Sequence, residues 1–190
     1  MHFQTTLTPT VSPTPYRVRV ARTVADVHAA YPLARHFFGD NTWPCALDEA
    51  LVARYPGGLL VLETQGEVVG YADLYDLTWD GARTLRANGE HALALDHFRA
   101  PGHGDVVYWA GIAVWPGHRA AGSALLTTAV DARLATPQPQ MGLAESPAGV
   151  RLFQQRNWQP LGGKVWGNAA FHFFTNAAPA RPCLKESIPE

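Results

Sequence analysis

The chain has 190 residues, 47% of them hydrophobic, with six Trp and eight Phe, enough for one domain with a full core and too little for two. Its 15 basic and 16 acidic residues give a formal net charge of −1, so no basic surface points to nucleic acid. No apolar run approaches the roughly 18 residues of a membrane span. The opening stretch MHFQTTLTPTVSPTP has no charged segment leading into an apolar one, which argues against a secretory leader. Cys45 and Cys183 stand far apart and read as free thiols of a cytoplasmic protein, a single disulfide being the alternative.

Residues 1–15, rich in Thr and Pro, read as a mobile tail. Tyr16 to Arg22 alternates apolar and basic residues, the period of a strand with one wet face. Thr23 with Asp26 is expected to cap a helix carrying Val24, Val27, Ala30, Tyr31, Ala34 and Phe38, kinked or split at Pro32 and ended by Gly39. A second helix is predicted from Pro44, with Leu47, Leu51 and Tyr55, stopped by Pro56-Gly57-Gly58. Leu59–Glu63 and Val68–Leu77 then form a hairpin about Gln65-Gly66. Residues 78–104 predict one or two short helices, broken at Asn88-Gly89.

Val106–Trp115 is a strand-length apolar run stopped by Pro116-Gly117. From about Ala120, Leu126, Val130 and Leu134 recur at four-residue spacing, the mark of a helix with one buried face. Between them lie Arg119, Ala120, Ala121, Gly122, Ser123 and Ala124, nearly all small. The first amides of a helix lack partners within it, so small side chains there let a phosphate approach them. Close packing of that helix on its parent strand explains the same residues without a ligand. A short strand at Met141–Ala144, a helix at Pro147–Arg156 and a strand pair turning at Gly162-Gly163 follow, and residues 176–190 read as a loose tail.

Arg119-x-x-Gly122-x-Ala124, preceded by Ile112-Ala113-Val114-x-Pro116, resembles the acyl-CoA-binding signature of the GNAT N-acetyltransferase superfamily, most closely its ribosomal-protein alanine acetyltransferases. The resemblance implies one α/β (α+β) domain over residues 16–175. Its mixed, mostly antiparallel sheet would have about six to seven strands flanked by helices and splayed between the fourth and fifth. Residues 81–104 become a helical insertion between the third and fourth strands, shaping the acceptor pocket. Acetyl-CoA is the implied co-substrate. Ile112, Ala113 and Val114 would line its pantetheine arm, and Arg119 with the amides from Ala120 to Ala124, Gly122 and Ser123 included, would hold the pyrophosphate. Ser146 to Trp158 matches the family's later helix motif, adding Ser146 and Phe153 to the cofactor site.

The catalytic positions depart from the pattern. Phe153 stands where many members have a proton-donating tyrosine, and Met141 where some carry a basic carboxylate. Glu145, Tyr108 and Asp73 are the remaining candidates, with Tyr75 and His103 behind them. His91, His97 and His103 lie six apart, not at helical metal-ligand spacing, so no metal is expected. The implied activity is acetyl transfer to a primary amine, either an α-amine or a small-metabolite amine, with a homodimer open. Lacking a base, the enzyme would favour a weakly basic acceptor, because a lysine amine costs about 4.6 kcal/mol to deprotonate at pH 7. A non-catalytic acyl-CoA-binding module is the alternative. On either reading Gly122→Val is expected to weaken CoA binding while sparing the fold.

Overall fold

The computed structural model describes residues 16–166 and 169–177; the segments 1–15 and 178–190, with Cys183, lie outside them. Strand β1 (Arg17–Val20) leads into helix α1 (Val24–Phe38). Thr23 caps α1, its hydroxyl accepting from the Asp26 amide while Asp26 accepts from the Thr23 amide. Arg19 donates to Asp26 at 2.6 Å, locking strand to helix and holding the Asp26 carboxyl well below the usual carboxylate range. Helix α1 runs through Pro32 unbroken. Pro32 and His28, the residue whose carbonyl it leaves without a helical donor, both face solvent, so water can take that carbonyl. Gly39, at φ 57°, ends the helix as expected.

Helix α2 (Cys45–Arg54) buries Leu51 and Val52 and stops before Pro56. Strands β2 (Leu59–Thr64) and β3 (Glu67–Leu77) pair about Gln65 (φ 52°) and Gly66 (φ 82°), a turn with both central residues left-handed. The 78–104 segment holds helix α3 (Trp79–Asn88), capped by Thr78 and ended at Gly89, where the break was expected. It also holds a two-residue strand, β4 (Phe98–Arg99), paired with the end of β3. That pairing brings the sheet to eight strands instead of six to seven.

Strand β5 (Val106–Val114), helix α4 (Arg119–Leu134), strand β6 (Gln140–Ala144), helix α5 (Pro147–Gln155) and strands β7 (Gln159–Trp166) and β8 (Ala169–Thr175) complete the chain. The predicted turn at Gly162-Gly163 is instead an irregularity inside β7, where the register against β8 slips and Gly162 takes φ 109°. The sheet order is β1-β2-β3-β5-β6-β8-β7, antiparallel at every step except β5–β6. Alternation along β2 separates two layers. Leu60 and Leu62 pack with Leu126 and Val130 of α4, while Leu59 and Val61 pack with Val27 and Leu33 of α1. Among the described residues no helix is long and apolar enough to cross a membrane.

Candidate active site

The parallel pair β5–β6 is where the sheet opens. Only Val107, Tyr108 and Trp109 pair with Gln140, Met141 and Gly142, although β5 continues to Val114 and β6 to Ala144. The strands therefore diverge beyond Trp109. At the same level β5 bulges: Asp73 pairs with Gly111 and Leu74 with Trp109, leaving Ala110 without a partner in the register. A bulge here re-aims backbone groups into the gap.

The gap is a cleft of about 520 Å³, lined on one side by Ala110 to Val114 and on the other by Leu143 to Ser146. Its walls take in Arg119 and Ser123 of α4 and Phe153 of α5. Of the residues that sequence assigned to the cofactor, Ile112, Ala113, Val114, Arg119, Ser123, Ser146 and Phe153 thus meet in one place. No side chain caps the start of α4. Ala120, Ala121 and Ala124 are exposed on the same turn but do not line the cleft. Arg119 is fixed at the mouth, its Nε donating to the Val114 carbonyl at 3.3 Å and its guanidinium over the Phe37 ring.

Gly122 has a different job from the one expected. It is buried, and a Cβ there would lie 2.6 Å from Leu62 Cδ2. Its missing side chain brings α4 close to the sheet, so Gly122→Val would disturb the core and is a poor probe of binding. Phe153 and Met141 are also packing residues. Phe153 is 3% exposed among Trp109, Trp158 and Phe174, and Met141 is fully buried. Ser146 caps α5 through the Gly149 amide.

Past Gly111 lies a chamber of about 50 Å³ on the α1–α2 face, which shares Phe38, Ala110, Gly111, Leu143 and Glu145 with the cleft. Alternation points Tyr71, Asp73 and Tyr75 of β3 to that face. Asp73 sits at the junction: a Cβ on Gly111 would lie 3.6 Å from Asp73 Oδ2 and from the Tyr71 hydroxyl. Asp48 of α2 accepts from the Tyr75 hydroxyl at 3.1 Å. Glu90, from the turn after α3, accepts from the Tyr108 hydroxyl. Glu145, at the end of β6, lines both cavities and accepts from Asn41. Asp73 and Glu145, scattered in sequence, thus both line the chamber, whereas Tyr108, fully buried, meets it only through its bond to Glu90. Asp48 and Glu90 were missed, and His103 lies exposed in the loop before β5.

The chamber is strongly acidic. No lysine, arginine or histidine lines it among the described residues. Protein surrounds Asp48, Asp73 and Glu90, which meet solvent only in part. Burial pushes Asp48 up to about 6 and Glu90 up to about 7. It pushes Asp73 well above the carboxylate range, with repulsion from Asp48 and Glu90 adding to the effect. Burial also raises the phenols of Tyr71, Tyr75 and Tyr108.

These shifts make stability depend on pH with a definite sign. A carboxyl whose folded pKa is raised binds its proton more tightly folded than unfolded, so it destabilises the fold as pH rises through that interval. For Glu90 the interval runs from 4.5 to about 7, worth about 3 kcal/mol before allowing for the chamber's opening to the cleft. The ligand-free protein should therefore melt about 5 °C higher at pH 5.5 than at pH 8, and Glu90→Gln should remove much of the difference. A melting temperature flat between those pH values would mean that the carboxylates are solvated.

No protein-family model matches the chain, and no curated protein matches it. Solved structures do, and the fold they share with it is that of the GNAT acetyltransferases. Ard1 from Thermoplasma volcanium superposes with a TM-score of 0.58 at 12% identity, over 85% of this chain and 96% of that one. The structure of yncA from Salmonella typhimurium with its cofactor acetyl-CoA gives 0.52 at 22% identity, over 86% and 97%. The GphF GNAT-like decarboxylase in complex with isobutyryl-CoA gives 0.54 at 19%, over 85% and 98%. Identities this low establish the fold, and the chemistry has to be argued from the site.

Proposed function

We propose that the protein is an acyl-CoA-dependent N-acyltransferase, moving an acetyl group from acetyl-CoA to a primary amine on a small molecule by direct attack. The observation that carries this reading is that the cleft between β5 and β6 and a carboxylate-lined chamber lie side by side, sharing Gly111 and Glu145 in their walls. Acyl-CoA-bound neighbours of the same fold support the donor. The residues present fit it. Backbone groups of Ile112, Ala113 and Val114 border an elongated cleft suited to a pantetheine arm. The start of α4, uncapped and walled by small side chains, suits a pyrophosphate, with Arg119 and Ser123 at the mouth.

Bound acetyl-CoA supplies a thioester carbonyl open to attack. The amine nitrogen forms the new C–N bond as the C–S bond breaks, yielding an amide and CoA. Asp73, at the junction of cleft and chamber, takes the proton that the amine loses. Phe153 gives none to the departing sulfur, so the thiolate leaves unprotonated and collects its proton from solvent. With a reference thiol pKa near 8.5, that costs about 2 kcal/mol at pH 7. The expected restriction to weakly basic amines rested on the absence of a base. Buried carboxylates supply one, so alkylamines fall within reach. The non-catalytic reading draws on Phe153 and Met141; the buried carboxyls beside the cleft, able to take a proton, favour the enzyme.

Ser123→Glu tests the donor site. The side chain is half-buried in the cleft wall, so a carboxylate there faces the diphosphate without entering the core. Acetyl-CoA affinity by calorimetry should fall about 10- to 100-fold, with little change in melting temperature. Unchanged affinity would move the donor site elsewhere, and absence of CoA release across a broad panel of small amines would favour the binding module.

A further inference from the structure

Helix α2 begins at Cys45 and carries Glu49 one turn further on, so thiol and carboxylate share a face of the helix. Helix α1 packs beside it and brings His28 to the same place. His28 Nε2 stands 2.7 Å from Glu49 Oε1, and Cys45 Sγ donates to that oxygen at 3.6 Å. All the ligating atoms lie within 4.8 Å of one another, and among the described residues no other trio of His, Cys, Asp or Glu is drawn so close. A His28–Glu49 ion pair would account for two of these groups. It leaves the thiol, a weak donor, as a third group on one carboxylate oxygen.

Imidazole, thiolate and carboxylate together are the donor set of a borderline metal. Sulfur and nitrogen favour zinc over magnesium or calcium, which take oxygen ligands. Zinc–ligand bonds at tetrahedral angles put neighbouring donor atoms about 3.4–3.6 Å apart. The sulfur–oxygen distance is already of that size, and the nitrogen–oxygen contact has to open by less than about 1 Å to match. His28 is exposed and Glu49 half-buried, so a small turn of the imidazole achieves this without disturbing the core. The solvent side leaves room for water as a fourth ligand. Spacing along a single helix, the ground for expecting no metal, cannot register a set divided between two helices.

We propose that His28 Nε2, Cys45 Sγ and a Glu49 oxygen bind a zinc ion that clips α1 to α2. On coordination the Cys45 thiol gives its proton to solvent and the sulfur binds as thiolate. These residues line neither the cleft nor the chamber, so the ion holds helices together and does not touch substrate. Ala34 and Phe38 of α1 and Asp48 of α2 form part of the chamber wall, which the clip would fix in place. The site stands independently of the acyltransferase reading.

The test adds Zn²⁺ or Co²⁺ to the reduced, metal-free full chain carrying Cys183→Ser, which leaves Cys45 as the one thiol. Zinc at about 100 times its dissociation constant should raise the melting temperature by about 5 °C, and magnesium should not. The Co²⁺ form should show the near-ultraviolet sulfur-to-cobalt charge-transfer band that a bound thiolate gives, and Cys45→Ser should abolish it. Competition with a chromophoric chelator should show zinc binding weakened in both Cys45→Ser and His28→Ala. The loss should be at least about 10- to 100-fold, the cost of removing even an outer partner of a metal site. His28 is at the surface, so its alanine variant keeps the fold and its loss of binding reports on the ligand. His103→Ala, at an exposed histidine elsewhere, should bind zinc as the parent does. Undiminished zinc binding in Cys45→Ser and His28→Ala, or a Co²⁺ form without the thiolate band, would overturn the site.

Discussion

Replacing Asp73 by Asn should lower kcat/KM for amine acylation by about 10²- to 10⁴-fold, the usual worth of a positioned general base, while leaving the dissociation constant for acetyl-CoA within about twofold. Asn keeps the size and most of the polarity of Asp but cannot take a proton. The side chain stands beside Gly111, where chamber and cleft join, and Gly111 is on the strand segment that has left its β6 partner. Asp48 and Glu90 lie on other elements and touch Tyr75 and Tyr108. Their removal should act mainly on the amine's KM. The wild-type rate should also carry an acid limb well above the ordinary carboxylate range, because burial holds Asp73 protonated until higher pH. Loss of that limb in Asp73→Asn would tie it to this residue. A variant with wild-type kcat would transfer the role to Glu145 or to water.

The site was only half legible in the sequence because its two halves are built differently. One wall of the cleft, with Arg119 and Ser123 at its mouth, comes from one continuous stretch, strand to turn to helix, and its period and small residues are visible in order. The acceptor chamber is assembled from α2, β3, β5 and the segment after α3, which no local pattern joins. Two signals were nevertheless present. Asp48 falls on the same helical face as Leu51, Val52 and Tyr55, an acid on an apolar stripe. Asp73 sits between Tyr71 and Tyr75 at inward positions of β3. Glu90 follows Gly89 in a short turn and offered no such sign. Local chemistry was read more securely: the Thr23–Asp26 capping box and the Gln65-Gly66 turn each concern fewer than five residues. The slip inside β7 was not legible, because it depends on how β8 pairs, and two glycines in a row look the same in a turn and in a bulge.

Asp76→Ala should destabilise the protein by about 3–5 kcal/mol, the loss expected when one partner of a buried ion pair is removed. Asp76 is 2% exposed and lies on the opposite face of β3 from Tyr75. One carboxylate oxygen pairs with Arg133 of α4, whose Nε already has no partner. The other accepts from the Gly102 amide at 2.9 Å and the Gln138 side chain at 3.3 Å. A single side chain thus joins β3, the loop that closes the 78–104 segment, the last turn of α4 and the approach to β6. Alanine would strand the Arg133 charge and release that loop together. For a chain of this size the loss amounts to about 10 °C in melting temperature, read equally well from the urea midpoint. Asn, which keeps an acceptor but not the charge, should recover part of it. The same change should weaken amine recognition, because the segment it anchors carries Glu90. A loss below about 1 kcal/mol, the range of a solvated surface pair, would show that water reaches Arg133 and that the loop is held by its strand pairing at Phe98 and Arg99 alone.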